Sequence, residues 1–457
     1  MTTEEETNNS TCIHPVIYDG ICSECGAFVT PDSRYHKSQD IYVLSSTIGT
    51  SKLEPFLLER KKLALVVDLD KTLIDTIAVQ NQEEAEKIIA LDKEHESDYF
   101  FVKVNEMYLV RLRPYVREFL NLISPYYFMQ VYTLAERPYA LQVIQKIDPD
   151  GKYFNQRILT REDSTQPKNQ LMKKSMSDFF LSGQHMAVVI DDTRAVWSYP
   201  DGSYYEGLVE IKPFEFFTTI SQPTMVKNPQ FIPKNLNMEA LNDHYLERIT
   251  AVMTEINSRF YEQKSQNVAD IIKEMKENVF KDCYIFFCSI WREGNIAQKR
   301  LYIGNAEEFG GHVVNEFVPY VTHIVTTDPR HKDIIEAQKY KGIYILNYKW
   351  FLNSIYRYER QPEMDQNYAV VGEKQIVAPL LTDGPEERPE PPQFQDVKGS
   401  DLDDILDSLD KTTDGTTQSA TDSDDEEESH EYGSSCDSED ISFLYKKSDD
   451  SEGNNDE

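Results

Sequence analysis

The sequence is poor in basic residues, in cysteine and in long apolar runs, and each shortage excludes a class of protein. The 457 residues contain 47 Lys and Arg against 79 Asp and Glu, a formal net charge of −32. Phosphate contacts need basic side chains, so we expect no direct nucleic-acid binding. Six cysteines do not form a disulfide framework. Without a membrane-length apolar run or a signal-peptide pattern, we expect a soluble, non-exported protein with no membrane partner.

The negative charge is concentrated at the C-terminal end. Residues 381–457 contain 26 acidic and 5 basic residues, a net charge of −21, which leaves −11 for residues 1–380. Large apolar residues are scarce in this tail, so it cannot bury enough surface to offset chain entropy. We therefore expect residues 381–457 to be disordered and any partner of the tail to be basic.

The N-terminal half has the pattern of an α/β domain with a parallel sheet. The apolar runs 63–67, 126–133 and 186–190 alternate with helical patterns at 114–123, 137–147 and 168–180. Short apolar runs separated by helices are typical of strands that are covered on both faces. We assign this domain to residues 58–220. Residues 221–278 then form a linker with an amphipathic helix, and a second, smaller α/β domain covers residues 279–371.

Oxygen-bearing side chains follow all three predicted strands. The first strand ends at Asp68 and Asp70, the second at Thr133 and the third at Asp191 and Asp192. A single D-x-D is more often an ordinary turn than a site, but three such strand ends meet at one edge of a parallel sheet. Carboxylates that lie close together repel one another unless a cation neutralises them. The pattern therefore predicts a Mg²⁺ site and, with it, a phosphate substrate.

The motif D-x-D-x-T at 68–72, with the later Thr, Lys and Asp-Asp, resembles the phosphotransferases of the haloacid dehalogenase superfamily. The resemblance implies that Asp68 is the nucleophile that forms an aspartyl-phosphate and that Asp70 is the general acid and base. Thr72 and Thr133 would hold the phosphoryl oxygens, and Lys174 would balance the phosphate charge, with Lys173 as its rival. The Mg²⁺ ligands would be Asp68, the backbone carbonyl of Asp70, Asp192 and, as an alternative or more distant ligand, Asp191.

Four further segments narrow the resemblance to one branch. VRLRPYVREFL (110–120), VYTLAERPYA (131–140), VVIDDTRAVW (188–197) and KPFEFF (212–217) are similar to the TFIIF-associating phosphatases of the RNA polymerase II C-terminal domain. This family implies a nuclear serine/threonine phosphatase that acts on the phosphorylated heptad tail of the polymerase. Arg113 and Arg137 would bind substrate. The chain departs from the family at Leu134-Ala135, where Thr133 is usually followed by x-Gly.

The N-terminal segment, residues 1–50, is otherwise irregular in pattern but contains a compact set of soft ligands. Cys12, His14, Cys22 and Cys25 have the residue types and spacing of a structural zinc site, in which all four positions come from the protein. The alternative is four unligated polar residues in a loop. A similar short pattern precedes the catalytic domain in the phosphatases named above.

Residues 279–371 resemble a BRCT domain, in which Gly310-Gly311 allow a tight turn and Trp350 anchors the core. The fold class expected for the chain is therefore a haloacid dehalogenase-like parallel-sheet domain plus a small α/β BRCT domain and a disordered acidic tail. BRCT domains often bind phosphopeptides. Ser289 suits one phosphate-binding position, but Asp333 stands where Lys is expected, with Lys332 adjacent, so the domain departs from the phosphopeptide-binding pattern.

Within the tail, Ser400 can cap a helix whose apolar residues share one face. These residues are Leu402, Ile405, Leu406 and Leu409. An apolar stripe in an acidic helix is suited to a groove on a basic partner. The family resemblance implies that this partner is the large subunit of TFIIF.

Two other functions remain open from the sequence. One is a catalytically inactive scaffold that recruits transcription partners through the BRCT domain and the acidic tail. It is disfavoured because no residue of the catalytic set is missing. The other is a small-metabolite phosphatase, disfavoured because small substrates need no docking domain.

Overall fold

The structure is a computed structural model. It describes residues 16–18, 21–22, 28–30, 35–38, 41–44, 53–155, 157–164, 173–176, 183–199, 201–217, 236–263, 267–290, 296–372 and 377–392. Residues 1–391 form one compact unit, distinct from residues 392–457. Among the described residues, no helix combines the length and the apolar character needed to cross a bilayer.

The N-terminal segment contains a small antiparallel sheet where the sequence predicted irregular structure. Its strands are β1 (Val16–Tyr18), β2 (Ile21–Cys22), β3 (Tyr35–Ser38) and β4 (Ile41–Leu44), in the order β2-β1-β4-β3. Cys22 belongs to β2, whereas Cys12, His14 and Cys25 lie outside the described residues. The zinc site therefore stays a prediction.

The first domain is built on a five-stranded parallel sheet. Its helices and strands are, in chain order, α1 (Leu53–Glu59), β5 (Leu63–Val67), β6 (Ile74–Val79), α2 (Gln82–Ile89), β7 (Tyr99–Lys103), β8 (Met107–Leu112), α3 (Val116–Ile123), β9 (Tyr127–Tyr132), α4 (Arg137–Ile147), β10 (Ile158–Leu159), β11 (Ala187–Asp191) and β12 (Leu208–Glu210). The sheet order is β10-β9-β5-β11-β12. All five residues of β5 are buried, which explains its uninterrupted apolar sequence.

The three predicted strands of this domain are confirmed as β5, β9 and β11, and two of its predicted helices as α3 and α4. The third predicted helix, 168–180, lies mostly outside the described residues, and residues 173–176 contain no α-helix. A three-stranded antiparallel sheet, β6-β8-β7, was not predicted. It follows the D-x-D-x-T segment directly and packs its apolar face under Phe214, Phe216 and Phe217.

A helix joins the two domains, as the sequence predicted. Helix α5 (Tyr245–Glu262) packs on the first domain, where the hydroxyl of Tyr127 donates to the carbonyl of Met253 at 2.7 Å. At its N-terminal end, the hydroxyl of Tyr245 donates to Asn353 of the second domain. A second helix, α6 (Val268–Glu277), follows it. One continuous apolar core extends from the parallel sheet through α5 and α6 to Trp350, so the two domains and the helices between them are one packed body.

The second domain consists of a mixed β-sheet with α-helices packed against it. Its elements are β13 (Tyr284–Cys288), α7 (Ile296–Glu308), β14 (His312–Val314), β15 (His323–Thr326), α8 (Lys332–Ala337), β16 (Tyr340–Leu346), α9 (Tyr348–Arg357), β17 (Leu381–Asp383) and β18 (Glu386–Glu387). The order is β14-β13-β15-β16-β17, and β18 also pairs with β16. The start of the disordered tail at residue 381 was predicted wrongly, because β17 and β18 belong to this sheet. Residues 393–457, with the predicted helix at 402–409, lie outside the described residues.

Gly310 is the position where the second domain is least tolerant of a side chain. Its φ is +82°, and a Cβ there would lie 1.9 Å from the carbonyl oxygen of Glu277. Gly342 has the same φ of +82° but no atom within 4 Å of its Cβ position. Gly342→Ala therefore tests backbone strain alone, whereas Gly310→Ala adds a backbone clash.

We expect Gly342→Ala to lower the free energy of unfolding by about 1–2 kcal/mol, the cost of a left-handed residue with a Cβ. Gly310→Ala should cost more, by about 1–3 kcal/mol of additional overpacking. Urea unfolding of both variants measures the difference. Equal losses would mean that the contact with Glu277 relaxes freely.

Candidate active site

The predicted site residues come together at the carboxyl end of the parallel sheet. Asp68 follows β5, Thr133 follows β9, and Asp191 is the last residue of β11. Carboxylate oxygens of Asp68, Asp191 and Asp192 all lie within 4.8 Å of one another. Parallel neighbours bring these strand ends to the same edge, so the convergence follows from the topology.

Lys174 is the lysine that reaches this cluster. Its ammonium donates to Asp68 at 2.5 Å and to Asp191 at 2.6 Å, and its side chain is 3% exposed. Lys173 points elsewhere and bonds the hydroxyl and carbonyl of Ser198. The sequence analysis chose Lys174 over Lys173, and it is Lys174 that lies in the cluster, while its catalytic role stays a prediction.

Burial and repulsion shift the acidity of the cluster. Burial raises the pKa of Asp68 well above its ordinary value, against the opposing charge of Lys174. Burial and the neighbouring charge of Asp191 raise the pKa of Asp192 to about 7. Burial alone would lower the pKa of Lys174, but Asp191 and Asp68 outweigh it and raise that pKa. The carboxylates are therefore held in a site that is short of positive charge.

The two adjacent aspartates differ in how many of their oxygens are already bonded. Asp191 is buried and accepts bonds from Lys174, from the indole of Trp197 at 2.8 Å and from the backbone N–H of Thr193 at 2.8 Å. Asp192 is half-buried and accepts from the hydroxyl of Thr193 at 3.2 Å. Asp192 thus has more free acceptor capacity for a ligand than Asp191, and its assignment as a metal ligand stays a prediction.

Three carboxylates face one ammonium in this cluster, which leaves an excess of two negative charges if all are ionised. Oxygen ligands and excess negative charge are what a hard divalent cation requires. The donor set therefore fits Mg²⁺.

Asp70 is held by a residue that the sequence analysis missed. The hydroxyl of Tyr139 donates to Oδ1 of Asp70 at 2.7 Å and lies 2.8 Å from the hydroxyl of Thr76. Burial raises the pKa of Asp70, and the bond from Tyr139 opposes the shift. Tyr139 lies within the segment 131–140 that carried the family resemblance, but nothing in its spacing pointed to Asp70. Only the packing of α4 against the strand ends brings the two together.

The two predicted phosphate-binding threonines are both buried. The hydroxyl of Thr72 has no hydrogen-bond partner in the described part of the chain. It is therefore available for a ligand oxygen. The Thr133 hydroxyl instead accepts a bond from the backbone N–H of Ala135 at 3.0 Å. Ala135 thus takes part in the turn that holds Thr133.

The two arginines predicted to bind substrate both have acidic partners within the chain. Arg113 is buried, donates to the carbonyl of Thr72 at 3.1 Å and pairs with Asp243 at 2.8 Å. Arg137 lies at the start of α4 and pairs with Asp163. Arg113 thereby connects the D-x-D-x-T loop to the start of α5, since Asp243 also accepts the backbone N–H of Tyr245. Substrate binding by either arginine remains a prediction.

The structure does not strengthen the prediction that the BRCT domain binds a phosphopeptide. Ser289 is exposed with a φ of +53°, and its carbonyl accepts a bond from the hydroxyl of Thr327. Asp333 lies in the first turn of α8, next to Lys332, and its carboxylate is 3.4 Å from His331. A carboxylate at this place repels an anion, so the structure does not favour phosphopeptide binding here.

The sequence of residues 63–224 matches the NLI interacting factor-like phosphatase family, and residues 275–355 match the BRCA1 C Terminus (BRCT) domain family. The chain contains an NLI interacting factor-like phosphatase domain and a BRCT domain. Both matches agree with the resemblance to RNA polymerase II C-terminal domain phosphatases that contain a BRCT domain, whereas the association with TFIIF stays a prediction.

Proteins from several organisms are similar to most of this chain. A C-terminal domain phosphatase of RNA polymerase II from Caenorhabditis elegans is 28% identical over 371 residues, covering 75% of this chain. The chain spans 53% of that relative's length. An RNA polymerase II C-terminal domain phosphatase-like protein of Arabidopsis thaliana is 24% identical, covering 79% of this chain and 83% of the relative.

Solved structures agree with the fold. The structure of Fcp1, described as an essential RNA polymerase II CTD phosphatase, is 25% identical and has a TM-score of 0.54. The match covers 69% of this chain and 98% of that structure. A fission yeast Fcp1 variant solved with beryllium fluoride has a TM-score of 0.53 and the same identity and coverage. The expected architecture, a parallel-sheet domain followed by a BRCT domain, is thereby confirmed.

Proposed function

We propose that this chain is a Mg²⁺-dependent protein serine/threonine phosphatase that acts in the nucleus on the phosphorylated heptad tail of RNA polymerase II. The observation that carries the proposal is the buried cluster of Asp68, Asp191 and Asp192 around Lys174 at the carboxyl end of the sheet. Relatives that align with most of this chain bear the name of this activity. That agreement supports the choice of substrate.

Asp68 is the nucleophile in this proposal. Its carboxylate attacks phosphorus, the bond from phosphorus to the serine oxygen breaks, and an aspartyl-phosphate forms. Lys174, bonded to Asp68 at 2.5 Å, orients that carboxylate and balances the negative charge of the phosphoryl group. The hydroxyl of Thr72, which has no hydrogen-bond partner among the residues that the structure describes, is suited to hold a phosphoryl oxygen.

Asp70 handles the proton. Its raised pKa favours the protonated form that can donate to the departing serine oxygen. The resulting carboxylate then takes a proton from the water that attacks the aspartyl-phosphate, which releases phosphate and restores Asp68. Asp68, the backbone carbonyl of Asp70 and Asp192 would hold Mg²⁺, which would supply positive charge for the phosphate oxygens.

Tyr139 tests the assignment of Asp70. Tyr139→Phe removes the bond to Asp70 and should lower kcat about tenfold, within the range of general acid–base effects, with little change in KM. Tyr108→Phe is the matched control, because its ring packs 5.8 Å from that of Tyr139 while its hydroxyl donates to the exposed carboxylate of Glu106 rather than to Asp70. A similar kcat for both variants would remove Tyr139 from the proton step.

Phosphate release from a phosphorylated heptad peptide tests the function itself. We expect release with Mg²⁺, none after the metal is removed by a chelator, and recovery when Mg²⁺ is restored. Phosphorylated sugars and nucleotides serve as the comparison substrates. Faster release from these small esters would favour a small-metabolite phosphatase instead.

The inactive scaffold makes a different prediction. Such a protein would bind the phosphorylated heptad peptide but release no phosphate from it at any Mg²⁺ concentration. Calorimetric binding measured beside the release assay separates the two functions. The complete catalytic set around Lys174 supports the enzyme.

We also propose that the acidic tail docks on a basic partner, the large subunit of TFIIF. The support is the sequence pattern of Leu402, Ile405, Leu406 and Leu409. A peptide of residues 398–412 should bind that subunit, and Leu406→Ala should weaken binding by about tenfold, as for an apolar anchor in a groove. Equal binding by the two peptides would contradict docking through this stripe.

A further inference from the structure

A half-buried network of charges joins the phosphatase domain to the BRCT domain close to the active site. Glu308, the last residue of α7, accepts bonds from Arg194 at 2.7 Å, from Lys276 at 2.7 Å and from the hydroxyl of Tyr204 at 2.6 Å. Arg194 also donates to Glu210, at the end of β12, at 2.7 Å. Arg194 is thus held between one carboxylate of each domain.

Arg194 begins the short 3₁₀ turn Arg194–Trp197, which supports the proposed catalytic groups. The carbonyl of Val196 accepts the backbone N–H of Lys174 at 2.7 Å. The indole of Trp197 donates to Asp191 at 2.8 Å. Asp192, the most available carboxylate of the cluster, is two residues before Arg194. Movement of this turn would therefore displace Lys174, Asp191 and Asp192 together.

The position of Glu308 in its own helix argues that the residue serves a tertiary role. The C-terminal end of a helix carries a partial negative charge and favours cations. The carboxylate of Glu308, on the last residue of α7, is therefore electrostatically unfavourable at this helix end. Its ion pairs with Arg194 and Lys276 offset that cost. Burial would raise the pKa of Glu308, but Lys276 and Arg194 outweigh it and lower that pKa.

We propose that Glu308 of the BRCT domain is a positioning residue for the phosphatase site, which it serves by holding Arg194 and with it the turn 194–197. The expected effect on the reaction rests on the proposed function. The restraint that Glu308 places on the turn does not depend on that function. The BRCT domain is then a structural part of the active site as well as a module beside it.

Hydrogen–deuterium exchange of the turn tests the restraint directly. The full chain is compared with Glu308→Ala and with the less disruptive Glu308→Gln, without Mg²⁺. Opening free energies of local segments set exchange rates, so Glu308→Ala should speed exchange at residues 193–198 about tenfold, and Glu308→Gln by less. In the phosphatase assay, we expect both variants to need more Mg²⁺ for half-maximal rate and to have a lower kcat. Both changes should be larger for Glu308→Ala than for Glu308→Gln.

Two controls separate positioning from general loss of stability. Lys276→Met removes a 5% exposed cation from the same network but leaves Arg194 with both carboxylates. It should lower the unfolding temperature without faster exchange in the turn. Glu307→Gln changes the exposed neighbour of Glu308 and should alter neither the unfolding temperature nor the exchange rate of the turn.

The outcomes are distinct. Turn exchange in Glu308→Ala equal to that in Lys276→Met would overturn the proposal. If Glu308→Ala does not fold, Glu308→Gln supplies the same comparison. A wild-type chain that releases no phosphate would count against the proposed function alone, because exchange of the turn is measured without turnover.

Discussion

Asp68→Asn is expected to abolish phosphate release from the heptad peptide, with a loss of about 10⁴-fold or more, as when a nucleophile is removed. The amide cannot attack phosphorus to form the aspartyl-phosphate. Folding should survive, because Lys174 keeps its 2.6 Å bond to Asp191. Steady-state phosphate release and thermal unfolding, measured on the same preparation, check both statements.

A buried aspartate outside the site provides the control. Asp148 is 5% exposed and accepts the backbone N–H groups of Tyr153 and Phe154 after α4. Asp148→Asn should lower stability but leave kcat within a few-fold of the wild type. Unchanged activity in Asp68→Asn would reject Asp68 as the nucleophile, and an equal loss in Asp148→Asn would point to unfolding.

Lys174→Met should have the second large effect, on both activity and stability. Removing one partner of a buried charge pair costs about 3–5 kcal/mol, and here the change leaves the clustered carboxylates without their ammonium. We expect the unfolding free energy to fall by about that amount in the absence of metal, with part of it restored by Mg²⁺. Activity should fall by at least about 10²-fold, as expected when preorganised charge stabilisation is lost.

The adjacent lysine is the natural control for this experiment. Lys173→Met removes the same charge one residue away, but among the described residues its lost partners are the hydroxyl and carbonyl of Ser198. We expect stability to fall by about 1 kcal/mol, the value of an ordinary hydrogen bond, and activity to change little. Comparable losses in the two variants would contradict the assignment of Lys174 to the site.

The sequence predicted the central sheet well because its strands are buried on both faces. The runs that became β5, β9 and β11 are apolar at nearly every position, and each ends at a polar residue. The antiparallel sheet β6-β8-β7 was missed because its strands alternate less clearly. In β6, Asp75 is buried and satisfied by the N–H groups of Phe216 and Phe217, which lie far away along the chain.

The tail boundary shows the limit of composition. Residues 381–391 look like the acidic segment that follows, yet β17 pairs with β16 and Gly384 lies against the backbone of Lys339. A Cβ at Gly384 would be 2.2 Å from that backbone. The pairing of β17 depends on β16, which lies about forty residues earlier in the sequence, so it cannot be predicted from the composition of residues 381–391.

The sequence alone indicated which groups meet at the site, because Asp68, Thr133 and Asp191 lie at the ends of strands whose apolar runs predict a parallel sheet, and parallel strands end at a common edge. The tertiary structure decided which of two adjacent lysines enters that edge, that Tyr139 holds Asp70, and that Glu308 of the BRCT domain reaches Arg194. The local pattern of apolar and polar residues predicts burial and strand direction. These contacts depend instead on packing between elements that are distant in the chain.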